Sequence, residues 1–199
     1  MGPHAIEIFE IIFVLGFAVI LHECAHGWVA LKFGDPTAKM MGRLTLNPLR
    51  HIDPIGTILV PIVSRLILGF PFGWAKPVPV NFMYLRNPKR DMIFVALAGP
   101  AVNMAIAVAA SFFLALDQNF FSLMIMVNLM LAIFNLTPVP PLDGSRILTG
   151  LLPTPLARKY AQLEPFGFII VIVLLKSGAL DFLNGIVISL ARMLGVAFG

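Results

Sequence analysis

The chain has 199 residues, 59% of them apolar and 12% charged, with a mean hydropathy of +0.93. Such values lie far outside the soluble globular range and describe an integral membrane protein with room for about four to six spans and no substantial soluble domain. A net charge of +4 without any basic stretch carrying interleaved aromatic residues argues against nucleic-acid binding, and the single cysteine excludes an internal disulfide.

The first predicted element is a helix over residues 5–31, its apolar run starting at Ile11 and its end announced by Lys32, Gly34 and Pro36. Glu7 and Glu10 stand where a secretion signal would carry basic residues, so the stretch is read as a retained helix. It contains Ile20-Leu21-His22-Glu23-Cys24-Ala25-His26-Gly27-Trp28. Successive helical residues turn by about 100°, which sets His22 and His26 roughly 40° apart on one face, where both reach a single ion. Two imidazoles suit zinc, and a carboxylate directly after the first ligand is placed to take a proton from an activated water rather than to bind metal. With 4 His in the chain, the chance expectation of such a match is about 0.002, which makes coincidence the weaker reading. Ionisable groups inside an apolar span are costly and mark function, and a dication offsets that cost by pairing with its ligands and keeping the imidazoles neutral. Cys24 lies about 200° around the helix from His22 and reads as core.

His51, between Pro48 and Pro54, reads as part of a structured interfacial loop. The apolar run 55–70 carries Pro61, Arg65 and Gly69 and is short for a span. Segments 32–54, 71–91 and 137–163 hold 11 of the 14 Lys and Arg. They share the cytoplasmic side, as the positive-inside rule asks, only if 55–70 is a re-entrant segment that returns to the side it left. Trp74 to Asn81, with prolines at 77 and 79, reads as a short extended, β-like interfacial loop.

Residues 92–116 form the clearest span, and Ala98, Gly99 and Ala101 in it permit close helix packing, with Asn103 bonding between helices. A further run covers 120–135. Three prolines between Asn135 and Gly144 forbid a regular helix, and unwound backbone at membrane depth is tolerated only where it is buried in protein or lines a wet cavity. The run 166–198, interrupted by Lys176, Gly178 and Asp181, is either one kinked helix or a helical hairpin. No linker or internal repeat divides the chain, so residues 1–199 are read as a single domain: an all-α polytopic membrane protein built as a helical bundle.

A catalytic zinc generally takes three protein ligands, so the two histidines need a third. His4, His51, Asp53, Asp143 and Asp181 are candidates, and Asp143 stands out because it follows the proline-broken stretch. The alternative for Asp143 is a cap on a helix beginning near Ser145, paired with Arg146.

The combination of His22-Glu23-Cys24-Ala25-His26 with the Asn135 to Gly144 stretch resembles the site-2 protease family of intramembrane zinc metalloproteases. Ala98-Gly99-Pro100-Ala101-Val102-Asn103 and Gly73-Trp74-Ala75-Lys76-Pro77-Val78-Pro79-Val80-Asn81 also look like that family, in particular its small members without appended PDZ or CBS domains. The resemblance implies that His22, His26 and Asp143 bind one catalytic zinc, that Glu23 activates water, and that Asn135 positions substrate. The family motif often ends in two glycines, where this chain has Gly144-Ser145.

The resulting expectation is an intramembrane zinc endopeptidase in a prokaryotic inner membrane. It would cut a peptide bond in or near a transmembrane helix of a membrane-protein substrate, with the lipid bilayer as its other partner. The alternative from another class is a divalent-metal transporter with an intramembrane His/Glu site. Transport pathways usually need polar groups on several helices, and runs 92–116 and 120–135 offer only Asn and Ser.

Overall fold

An apolar segment in lipid becomes a helix because a helix satisfies every backbone N–H and C=O internally. The computed structural model describes residues 3–69 and 73–198; residue 70, which closes the apolar run 55–70, and residues 71 and 72 of the next basic segment lie outside the described residues. Helix α1 (Pro3–Lys32) extends the predicted first helix by two residues at its start and one at its end. Lys32 in its last turn complements the helix dipole, and Gly34, at φ 112°, turns the chain away. The short α2 (Thr37–Met40) follows.

A 3-10 turn at Pro48–Arg50 and a π-helical turn at Pro54–Leu59 lead into α3 (Val60–Leu68). Asp53 caps this unit by accepting from the backbone N–H groups of Ile55 and Gly56 at 2.9 and 2.8 Å. Its pieces of six and nine residues rise about 22 Å at 1.5 Å per residue, against a hydrocarbon thickness of about 30 Å. The described part of the segment is therefore too short to cross upright.

Residues 73–81 run as extended chain without a strand partner. Their inward donors alternate: the N–H of Trp74 goes to Gly56 O (3.0 Å), that of Lys76 to His51 O (2.8 Å) and that of Val78 to the Glu23 carboxylate (2.7 Å). Arg43 donates to the Lys76 and Pro77 carbonyls at 2.9 and 3.3 Å. Pro77 and Pro79 occupy the other phase of this alternation, so the N–H groups they lack are not among those that anchor the segment.

Helix α4 (Pro88–Ser111) is the centre of the bundle and packs against α1, α5 (Gln118–Asn135) and α6 (Asp143–Leu151). Ala96, Gly99, Pro100, Asn103, Ala107 and Ala110 are all buried on it. Apart from the adjacent pair Gly99 and Pro100 they recur every three or four residues, which makes one stripe of mostly small side chains and lets neighbouring backbones approach. By length and apolar character α1, α4 and α5 can cross a membrane. The predicted span 92–116 is helical only to Ser111, and residues 112–116 form turns.

Helix α7 (Thr154–Ala161) precedes the C-terminal run, which consists of two helices, α8 (Gly167–Lys176) and α9 (Phe182–Met193). They separate at Gly178, whose φ of 73° favours glycine. Val187 and Ala191 of α9 pack with Ile125 and Leu129 of α5 and with Ala107 and Ala110 of α4 in a buried apolar cluster.

Candidate metal centre

His22 and His26 lie one turn apart on α1 and are buried, with 7% and 8% of their surfaces exposed. Their Nε2 atoms are 3.0 Å apart. Asp143, the first residue of α6, brings its Oδ2 to 3.2 Å from His22 Nε2 and 3.3 Å from His26 Nε2. A tetrahedral zinc with ligand bonds of about 2.0–2.1 Å sets its donors about 3.3 Å apart, so this triangle has the dimensions of one face of such a site. Among the described residues it is the only group of three His, Cys, Asp or Glu whose ligand atoms converge.

Hydrogen bonds behind the imidazoles decide what faces the centre. His26 Nδ1 lies 2.7 Å from Val95 O, and His22 Nδ1 lies 2.6 Å from Asn103 Oδ1. Both oxygens accept only, so each Nδ1 carries a proton and Nε2 is the nitrogen each ring turns inward. Asp143 Oδ2 is buried with no hydrogen-bond partner. Two Nε2 atoms and one carboxylate oxygen thus meet at a single point, and with Nε2 unprotonated their lone pairs face one another in an arrangement that a cation relieves. Donor set, spacing and the orphaned oxygen all fit zinc.

The position of Asp143 depends on the proline-rich turn before it. The chain reverses through hydrogen bonds from Val139 N–H to Thr137 O (2.8 Å) and from Leu142 N–H to Val139 O (2.9 Å). A Cβ on Gly144 would lie 2.2 Å from Leu136 O, so only glycine allows α6 to start this close to the end of α5. Ser145 needs no such freedom; its hydroxyl donates to Leu142 O at 2.7 Å, which explains why the second small residue of the motif tolerates serine. Asp143 does not cap α6 through its side chain, and Arg146 pairs instead with Glu164 at 3.2 Å.

Glu23 is half-buried, and its Oε2 accepts from the Val78 N–H at 2.7 Å, which ties the carboxylate to the extended segment. A Cβ on Gly27 would lie 2.7 Å from Val78 Cγ1, so this glycine lets the segment close over α1. On the other side Gly99 of α4 meets both rings: a Cβ there would lie 2.4 Å from His26 Nε2 and 2.5 Å from His22 Nε2.

The remaining candidates lie elsewhere. The His4 side chain is exposed beside Glu7, and His51 is buried with its Nε2 2.8 Å from Thr45 O. Asp53 caps the π-helical turn, and Asp181 precedes α9 beside Gly178. Cys24 donates to Thr45 O at 3.2 Å, away from the centre as its helical phase predicts. Asn135 donates to Leu131 O at 2.9 Å, one turn back in its own helix. The sequence reading treated Asn103 as a packing residue and did not connect it to His22. The available signal was a lone amide one helical turn after Gly99 in an otherwise apolar span.

Residues 115–175, which include Asp143, match Peptidase family M50. YwhC of Bacillus subtilis (strain 168) is 45% identical over 170 residues, 77% of this chain and 74% of that protein. Rip2 of Mycolicibacterium smegmatis is 32% identical over 82% of this chain and 65% of its own length. Zinc metalloprotease MJ0392 of Methanocaldococcus jannaschii is 29% identical over 77% of this chain and 37% of that protein. YwhC and Rip2 bear the zinc metalloprotease designation provisionally. No solved structure matches. Carrying the His-Glu-Cys-Ala-His motif on a membrane-type helix and matching YwhC at 45% identity over 77% of its length, the chain belongs to peptidase family M50 and is a multi-pass zinc metalloprotease.

Proposed function

We propose that this chain is an intramembrane endopeptidase of a prokaryotic cell membrane that cleaves membrane-protein substrates within or beside a transmembrane helix, as in regulated intramembrane proteolysis. The observation that carries the reading is the convergence of the His22, His26 and Asp143 donors on a helix long and apolar enough to span a bilayer, beside Glu23. His22, His26 and Asp143 would hold zinc, which when bound acidifies water and polarises the scissile carbonyl. Val95 and Asn103 hold the Nδ1 protons and so keep both Nε2 atoms available. Glu23 takes the proton of the attacking water and passes it to the leaving amine. The Val78 N–H orients the carboxylate for that task.

A substrate helix must unwind before attack, because its peptide groups are bonded internally. The extended 74–81 segment, anchored along its inner edge, offers a rigid rail beside Glu23 on which opened backbone can lie. Asn135 has one amide hydrogen engaged by Leu131 O, and its substrate-positioning role rests on the remaining hydrogen and Oδ1.

Asp143→Asn tests the ligand set. Even partners standing behind metal ligands change affinity by about 10–100-fold, so loss of an anionic ligand should weaken zinc by more than about 100-fold. Chelator competition on the purified variant measures this, and unchanged occupancy would exclude Asp143 from the site. In proteoliposomes the wild type should cleave a transmembrane reporter and stop when zinc is stripped; zinc uptake into the lumen without cleavage would instead favour transport.

A further inference from the structure

Two fully buried amides lie in the bundle interior with no part in the ligand triangle, Asn103 on α4 and Asn128 on α5. Their hydrogen bonds form one directed chain. Asn128 Nδ2 donates to Met124 O (2.9 Å), Asn103 Nδ2 donates to Asn128 Oδ1 (2.8 Å) and to Ala18 O (3.2 Å), and Asn103 Oδ1 faces His22 Nδ1 at 2.6 Å. The direction is forced from the far end. Met124 O and Ala18 O are backbone carbonyls that only accept, so both amides must turn their NH2 groups toward them. That leaves Asn103 Oδ1 as the group that meets the imidazole.

Resting on the zinc reading above, we infer that Asn103, oriented by Asn128, is a positioning residue that holds His22 in the Nδ1–H tautomer and so presents its Nε2 to the metal. Asn103 grips one turn of α1 at two points, since Ala18 and His22 are one turn apart. The ring is thereby fixed in rotation as well as in tautomer. A partner behind a ligating histidine fixes ring orientation and raises its basicity, and its loss typically weakens metal binding by about 10–100-fold. Without such a partner His22 could hold its proton on Nε2 and place a donor where the metal needs a lone pair. His26 receives the same service from a main-chain carbonyl, Val95 O, which substitution cannot remove. Asn103 is therefore the genetically accessible half of the arrangement.

Packing alone and proton positioning predict opposite orders for two substitutions. Leu matches Asn in size and suits an apolar interior, so a packing role tolerates Asn103→Leu and is disturbed by Asn103→Asp, which buries a charge. A positioning role reverses this, because Asp still accepts from His22 Nδ1–H and Leu cannot. Zinc affinity is measured by chelator competition on full-length protein in detergent, with helicity and elution volume confirming the fold. The expected result is about 10–100-fold weaker zinc for Asn103→Leu, a changed visible spectrum in its cobalt-substituted form, and zinc held more tightly by Asn103→Asp than by Asn103→Leu. Equal affinity for the Leu variant and wild type would overturn the assignment of Asn103 while leaving the zinc site intact. A wild type that binds no zinc would overturn the metal reading itself. Should the Leu variant fail to fold, nitrogen-15 NMR of histidine-labelled, zinc-loaded wild type decides the matter: His22 protonated at Nδ1 supports the inference, and protonation at Nε2 overturns it.

Discussion

Replacing Glu23 with Gln is expected to lower peptide-bond hydrolysis by at least about 10³-fold, within the range typical of a lost general base, while zinc occupancy stays at the wild-type level. The substitution separates shape from basicity. A glutamine can still accept from the Val78 N–H that holds Glu23 at 2.7 Å, so the side chain and the extended segment keep their places. What is lost is a group able to take a proton from water and return it to the leaving amine. Cleavage of a transmembrane reporter by purified protein, measured beside zinc content, checks both halves. Full cleavage would remove Glu23 from the reaction, and loss of zinc would make it a ligand or a structural support.

Gly99→Ala is expected to weaken zinc binding by more than about 100-fold although no ligand changes. Its Cβ would lie 2.4 Å from His26 Nε2 and 2.5 Å from His22 Nε2, about 1 Å inside ordinary contact, and both are the atoms proposed to face the metal. Relief requires α1 and α4 to separate or the rings to turn. Metal–ligand distances tolerate only about 0.2 Å, so either response breaks the site. Helix propensity works the other way, favouring Ala over Gly by about 1 kcal/mol. The variant should therefore remain helical while losing metal, a combination that circular dichroism and zinc analysis read directly. Zinc bound at wild-type affinity would show that α4 does not press on the imidazoles.

Much of this centre was legible in the sequence because helical geometry converts spacing into direction. A spacing of four positions from His22 to His26 fixes a shared face, and a spacing of two from His22 to Cys24 turns the thiol away; the structure has both. Asp143 was legible as a candidate through the prolines that break the chain before it, yet choosing it over Asp53 or His51 required knowing which elements fold together. Asn103 was not legible as a partner of His22. Sequence gives the stripe of α4 that is buried, but not its height against α1, and the 2.6 Å contact depends on that height. The grip of Val78 on Glu23 was hidden for a related reason, since a backbone donor leaves no mark in residue type. The helix ending at Ser111 was also obscured, because Phe112, Phe113 and Leu114 stay apolar after the backbone has left the helix.

The convergence of two histidines and one aspartate on a single zinc is tested most directly by zinc K-edge X-ray absorption on the purified, zinc-loaded chain. The account predicts one zinc per chain with two imidazole nitrogens and oxygen donors at about 2.0–2.1 Å, four ligands in all, and no sulfur. A scatterer at about 2.3 Å, which only Cys24 or a methionine could supply, or a shell with a single imidazole, would contradict it.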